Sequence, residues 1–431
     1  MSLILCGRTP LWAFDISDSI SQELGLNIHQ EVNLHGIRED NPTNTDNWQK
    51  LSEWETQMSA SLDWYLGFSN RCTITAEGTM NWLQHAEPCS EENRRLQGNP
   101  AFALNEALLA VNIHEVGIRF FAGKTLVTQG PAVIFPVLDF LAKDCLAKDL
   151  KTASAEQEGL WMTGASFGKN NIFAEIWFSP ALSWAPGEDF SANSESNPVV
   201  LFHTVYTLGT HRFGLIYYYG GQTITGNTAG AYYSGQISDS LIPYGEVSFA
   251  DHRLVPGLPA EATFQLPETK SVDATVGLSY APDFANLSFF FEYRFRSSGY
   301  NSKTWNSIKS ELSDLSALVD QAPQNEPLYK RLCGAHSSSL PYFNTSVHSA
   351  GIRIQNSRQI ADLFDYNINT FYLAPDGIYL SAHTSLSLID RLKIGLTTTG
   401  LFSLADKGEM AWWENNWQLQ LAAEWQLRTY E

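Results

Sequence analysis

Apolar and polar side chains alternate along most of this chain, and the clearest case is the stretch Ser271 to Tyr300. Every second residue is apolar or small from Val272 to Tyr280 and apolar from Leu287 to Phe295, with Phe290 as one extra apolar residue. A period of two is typical of a β-strand, because successive side chains point to opposite faces. With the turn Ala281 to Phe284 between them, the two strands predict a hairpin.

The two faces of this hairpin require different surroundings. One face is apolar and aromatic, whereas the other carries Glu292, Arg294 and Arg296. The charged face does not suit a sealed core, and the aromatic face does not suit water. A transmembrane β-barrel satisfies both, because its strands alternate between a lipid-facing side and a wet lumen.

The same rhythm recurs along the chain, with short turns alternating with long polar stretches. Counting the alternating segments gives about 18 strands, and the even number fits single-chain bacterial barrels. We therefore predict an all-β fold, a transmembrane antiparallel β-barrel with long extracellular loops. Residues 14–431 form this single domain, and residues 1–13 resemble the end of a secretory signal peptide.

Composition narrows the class of protein further. The 431 residues include no run of about 18 apolar residues, so no transmembrane helix is predicted. The 13 Trp and 17 Tyr supply the aromatic girdles of a barrel, although a soluble aromatic-rich β-protein stays open. A net charge of −19 argues against a nucleic-acid partner, which needs a basic surface.

No motif points to a cofactor, and none is predicted. The five cysteines show no zinc-type spacing. Cys89, Cys145 and Cys333 fall in predicted long loops, where one disulfide or three free thiols are both open. Gly164 to Gly168 matches the nucleophile-elbow pattern of hydrolases, but another predicted strand follows where that motif needs a helix. We therefore expect a hairpin turn there and no enzyme.

The candidate functional residues are the charges on predicted lumen faces, because rings of charged side chains select ions in pores. Arg294 and Arg296 stand out, since two positive charges repeat on one strand. Two alternatives remain: the arginines select anionic solutes, or Glu246, Glu424, Asp139 and Asp144 neutralise them. The predicted set is Arg119, Glu246, Glu292, Arg294, Arg296, Glu424 and Arg428.

Two predicted loops could enter the lumen. The segment from Lys124 to Glu158 is long and lies between predicted strands. In residues 302–320 apolar residues recur at helical spacing, so a helix is predicted with Ser302 as its cap. Whether either segment plugs the lumen stays open.

Two stretches resemble a family of large porin-like outer-membrane barrels. In the first, the family's Gly-Lys start and Asn-Pro-x-Asp turn are matched in part by Gly123, Lys124, Gly130, Phe135, Pro136 and Asp139. The usual tryptophan is absent, Phe135 precedes Pro136 where Asn is usual, and Asp139 comes one residue late. The second is the strand pair Val276 to Tyr300. The resemblance implies an outer-membrane location and a role in a pore or in export.

The functional expectation follows from the pattern and the resemblance together. We expect a channel in the bacterial outer membrane through which small solutes pass, anionic ones among them. Its partners are then membrane lipid and the solute. The alternative is an adaptor barrel in an export assembly for lipids or hydrophobic compounds, with periplasmic or inner-membrane exporter components as partners.

Overall fold

The computed structural model is a closed barrel of 18 antiparallel strands. It describes residues 20–37, 53–68, 72–87, 101–125, 129–138, 160–179, 198–219, 227–251, 270–282, 286–297, 299, 301–307, 310, 313–314, 346–356, 364–374, 377–389, 391–403 and 415–430. The predicted fold class and strand number are confirmed. Residues 1–19, Cys89, Cys145 and Cys333 lie outside the described part.

The strands follow one another around the barrel in sequence order. They are β1 (Ile20–Ile37), β2 (Trp54–Phe68), β3 (Cys72–Glu87), β4 (Ala101–Ile113), β5 (Ile118–Thr125), β6 (Leu160–Lys169), β7 (Ile172–Ser179), β8 (Val199–Leu208), β9 (His211–Tyr219), β10 (Thr228–Gly235), β11 (Leu241–Ala250), β12 (Ser271–Tyr280), β13 (Leu287–Arg296), β14 (His348–Asn356), β15 (Phe364–Leu373), β16 (Gly377–Ile389), β17 (Leu392–Ser403) and β18 (Asn415–Tyr430).

The first and last strands close the barrel. β1 pairs with β2 on one side and with β18 on the other, and Ile28 lies opposite both Ala60 and Trp425. Closure leaves no strand edge in the sheet, and backbone groups at membrane depth need such internal partners. In the described part of the chain, no helix is long and apolar enough to cross a membrane.

The alternation places apolar side chains outside and polar ones inside, as predicted. On β13, Phe291 and Tyr293 are exposed, whereas Glu292, Arg294 and Arg296 are buried. The same outward face recurs around the barrel. Its exposed apolar residues include Leu24, Ile28, Leu62, Leu109, Phe120, Ile176, Phe202, Leu215, Tyr217, Phe249, Val276, Ile352, Leu380, Leu396, Phe402, Leu421 and Trp425.

The predicted helix after β13 is present in its described part. Residues 302–307, 310 and 313–314 are helical, and Trp305 is buried. The predicted cap was wrong by one residue: Asn301 Oδ1 accepts the Thr304 N–H at 3.0 Å. Asn is as good an N-cap as Ser, so residue type alone did not separate them.

The outward face of β13 gives a test of the barrel's orientation in lipid. We expect Phe291→Arg to destabilise the folded barrel by about 2–4 kcal/mol if the site lies near the bilayer midplane, because a guanidinium there loses its water. The measurement is the equilibrium folding of parent and variant into lipid vesicles.

The matched control is Val116→Arg, since Val116 is exposed in the turn between β4 and β5. An arginine at that end remains in water and should change the folding free energy little. Equal folding of parent and Phe291→Arg would show that Phe291 does not face lipid.

Candidate functional site

Two carboxylates project into the barrel and are almost fully buried. Glu246 on β11 and Glu292 on β13 are each 4% exposed. A carboxylate removed from water costs several kcal/mol unless hydrogen bonds replace its hydration. The partners of these two groups therefore identify what fills this part of the lumen.

The partners come from residues 129–138, which follow β5 and which we call the inner loop. Glu292 Oε1 accepts the Val133 N–H at 2.6 Å, and its Oε2 accepts those of Ile134 at 3.0 Å and Phe135 at 2.7 Å. The Tyr244 hydroxyl also donates to Oε1 at 2.6 Å. Three consecutive backbone amides of the loop thus converge on one carboxylate of the wall.

Glu246 holds the two ends of the same turn. Its Oε1 accepts the Ala132 N–H at 2.7 Å, and its Oε2 accepts the Val137 N–H at 2.9 Å. We call the five donating N–H groups, those of Ala132, Val133, Ile134, Phe135 and Val137, the amide cradle. Hydrogen bonds to charged groups contribute about 1.5–3 kcal/mol each, so the cradle offsets much of the burial cost.

Apolar contacts hold the inner loop from both sides. Ile134 and Phe135 pack in a buried cluster with Phe371, Leu373, Tyr379 and Leu401, on the side of β15 to β17. Val137 and Leu138 pack in a second cluster on the side of β4 to β9, with Ala110, Phe121, Met162, Trp177, Leu201, Ile216 and Tyr218. The inner loop therefore reaches across the barrel interior between two apolar patches.

Phe290, the residue that breaks the alternation in the sequence, packs partly buried against the first cluster. It lies on the lumen face with Glu292. An apolar side chain there is favourable because the inner loop covers it.

Glycines in the wall make room for the inner loop. A Cβ on Gly351 would lie 3.0 Å from Phe135 and 3.1 Å from Ile134, and one on Gly230 would overlap Leu138. Gly277 and Gly351 flank Glu292 across the sheet. A Cβ on Gly277 would overlap the Tyr244 ring, so its absence lets the Tyr244 hydroxyl reach the carboxylate.

Both lumen-facing arginines of β13 are buried. Arg294 is 3% exposed; its Nη2 donates to Ser349 Oγ at 2.8 Å, and its guanidinium carbon lies 5.1 Å from the centre of the Phe135 ring. Arg296 pairs with Asp273 on the neighbouring strand, with Nε to Oδ2 at 3.1 Å. The structure brings Glu246, Glu292 and Arg294 together around the inner loop.

The structure describes the side chains of two further predicted lumen residues, Arg119 and Glu424, and neither bonds to the inner loop. Arg119 is exposed near the turn that joins β4 and β5. Glu424 accepts a hydrogen bond from Gln426 at 2.6 Å, on the β18 wall. Arg428 pairs through its backbone with Gly25, and its side chain lies outside the described part, as do Asp139 and Asp144. Whether any of the seven residues selects solutes stays a prediction.

A further buried carboxylate lies on the β18–β1–β2 wall. Glu31 is fully buried and accepts hydrogen bonds from Asn33 at 3.0 Å, Gln420 at 2.6 Å and Gln57, and His29 Nε2 lies at 2.9 Å. Side-chain amides of β1, β2 and β18 supply these donors, and neither β1 nor β2 contains a lysine or arginine. The alternation of polar and apolar residues alone does not indicate this network.

The elbow-like motif of residues 164–168 forms part of a strand that leads into a turn. Ser166 of the elbow-like motif lies within β6, paired with Arg119 and Glu175, and β7 follows directly. The strand–turn–helix that a nucleophile elbow needs is therefore missing there. Among the described side chains, no group of three His, Cys, Asp or Glu is placed to hold a metal ion.

The sequence pattern did not indicate Thr275 as a partner of the inner loop, nor Tyr244 and the cradle amides as donors to the buried carboxylates. Thr275 Oγ1 donates to the Phe135 carbonyl at 2.6 Å. One signal was available: the apolar run Ala132 to Leu138 lies in a connection between strands, where exposed apolar residues are unfavourable. Which wall residues would meet that run could not be read from the sequence.

The fold of this chain is similar to that of solved outer-membrane proteins. No protein-family model and no curated protein matches the sequence. The outer membrane protein OpdK of Pseudomonas aeruginosa superposes with a TM-score of 0.56 at 10% identity, over 95% of this chain and 99% of that one. This chain has the fold of that outer-membrane barrel. The structure of OpdK with vanillate superposes with a TM-score of 0.57 at 8% identity, over 95% of this chain and 99% of that one. OccAB3 of Acinetobacter baumannii superposes with a TM-score of 0.52 at 9% identity, over 95% of this chain and 99% of that one.

The seat of the inner loop gives a test at Gly130, which has φ of +84° and lies against Glu246. Gly130→Ala adds backbone strain of about 1–2 kcal/mol and a Cβ that overlaps Glu246 Oε1. We expect the variant to lower the temperature at which the unboiled, fast-migrating form is lost in electrophoresis.

Gly209→Ala is the matched control, because Gly209 has φ of +60° and open space around its Cβ position. Gly209→Ala should add the backbone strain without an overlap. It should therefore lower the temperature at which the fast-migrating form is lost by less than Gly130→Ala does. Equal shifts for both variants would mean that the inner loop does not press on Glu246.

Proposed function

We propose that the protein is a channel of the bacterial outer membrane through which small solutes pass. One observation carries the proposal: a closed barrel is apolar outside and lined with charges inside, and a loop seated in its interior narrows it. A barrel of this size encloses a lumen wide enough for solutes. The shared fold with the outer membrane protein OpdK supports the location.

Small anionic solutes are among those that we propose to pass. The OpdK structure that resembles this chain contains vanillate, a small aromatic carboxylate. In this chain Arg119, Arg294 and Arg296 lie on lumen faces, although the last two are buried. Positive charges that line a pore raise the local concentration of anions.

The channel needs no catalytic step, and we propose that the protein is not an enzyme. We also propose that residues 14–431 form one barrel domain and that residues 1–13 belong to an export signal. Exporter components are partners only under the alternative of an adaptor barrel. Cross-linking in cells followed by purification of the barrel would capture such components if that alternative were correct.

Reconstitution tests the channel directly. We expect the protein to fractionate with the outer membrane, to migrate faster unboiled than boiled, and to conduct ions in planar bilayers. A closed barrel resists detergent because it has no edge at which unfolding can start. A folded barrel without conductance would contradict the channel, and recovery as a soluble protein would contradict the membrane location.

The arginines give a test of anion passage. Replacing both, as Arg294→Glu with Arg296→Glu, reverses the charge on one wall. Because neighbouring residues on one face lie about 7 Å apart, within a Debye length, their fields add. We expect the ion selectivity to change from anions toward cations, which is measured as a shift of the reversal potential under a salt gradient.

A charge swap is the matched control. Arg296→Asp with Asp273→Arg keeps both the net charge and the opposite charges of the pair, so the reversal potential should stay near that of the parent. If the double Glu variant folds and its reversal potential is unchanged, the arginines only brace the wall and the inner loop.

A further inference from the structure

The inner loop and the barrel wall meet through one repeated contact, a backbone N–H donated to a wall carboxylate. Glu292 accepts hydrogen bonds from three of the five cradle N–H groups, and Glu246 accepts hydrogen bonds from the other two. These carboxylates are therefore the polar groups on which the loop's position most depends. Glu292 also receives the Tyr244 hydroxyl, which comes from the wall itself.

We propose that the inner loop is a gate and that the amide cradle with Glu292 and Glu246 is its latch. The cradle is a carboxylate-binding site that the wall's own side chains fill when the gate is closed. Release of the cradle frees the inner loop from the middle of the barrel and widens the lumen. The proposal rests on the proposed channel function, because widening matters only if solutes pass.

The chemistry of the cradle determines which group can fill it. Consecutive N–H donors at 2.6–3.0 Å match an acceptor with two oxygens and a negative charge. If that acceptor is removed, the buried N–H groups are unpaired in the closed state but bind water in the released state. The equilibrium then shifts toward release.

The first experiment reads the loop's position without relying on conductance. Ile134 is 3% exposed when the loop is seated, so a thiol at this position reports release. In folded protein carrying Ile134→Cys, we expect Glu292→Ala to increase the rate of labelling by a charged thiol reagent. The parent without Ile134→Cys gives the background from native cysteines.

The second experiment refills the cradle. Acetate offers the carboxylate that Glu292→Ala removes, so acetate should slow the labelling again, whereas chloride at equal ionic strength should not. In planar bilayers the same variant should have a higher single-channel conductance than the parent, and acetate should reduce the difference.

The matched control is Glu175→Ala. Glu175 is a carboxylate on the lumen face of β7 that binds His203 Nδ1 at 2.8 Å, and it does not bind the inner loop. It should leave the labelling rate and its response to acetate unchanged. The heat-modifiable shift in electrophoresis confirms that each variant is folded.

The outcomes separate the gate from the channel. Faster labelling in Glu292→Ala with reversal by acetate supports the latch, even if no variant conducts, in which case the channel itself is wrong. Unchanged labelling in a folded Glu292→Ala barrel overturns the latch. Faster labelling that acetate and chloride affect equally overturns the carboxylate-binding site.

Discussion

The burial of Glu246 and Glu292 is the constraint on which the interior of this barrel depends. A carboxylate inside a protein must receive hydrogen bonds, and the neighbouring strands use their own backbone groups to pair with one another. The inner loop supplies the missing donors because its backbone is free of the sheet. The loop amides donate the hydrogen bonds that the two carboxylates need. The carboxylates in turn accept from amides that are buried in an irregular segment and would otherwise have no acceptor.

The apolar contacts of the inner loop follow from the same arrangement. Once the amide cradle is fixed on β11 and β13, Phe135 and Leu138 point toward opposite parts of the wall. At these places the wall has apolar side chains that pack on the loop, and glycines such as Gly230 and Gly351 that leave room for it. Part of the lumen face is consequently apolar, which a simple alternation of lipid outside and water inside does not anticipate.

Charges inside the barrel are divided between two kinds of surroundings. Arg294 lies buried beside the inner loop, and Arg296 is buried and paired with Asp273 of the neighbouring strand. Arg119, in contrast, is exposed near a short turn. On the β18–β1–β2 wall, Glu31 is buried among amide side chains. A charge on the lumen face is therefore not equivalent to a charge that a passing solute meets, because hydrogen-bonded neighbours can enclose it.

The sequence by itself determined the barrel. A period of two with apolar residues on one face fixes each strand's orientation, since a shift by one residue would exchange the faces. It therefore placed Phe291 outside and Glu292, Arg294 and Arg296 inside. Only the tertiary structure decided what Glu246 and Glu292 bind and that residues 129–138 lie within the barrel. Those contacts join residues more than 100 positions apart, and periodicity reports only local geometry. Phe290 looked like an exception for the same reason, because the surface that covers it comes from a distant loop.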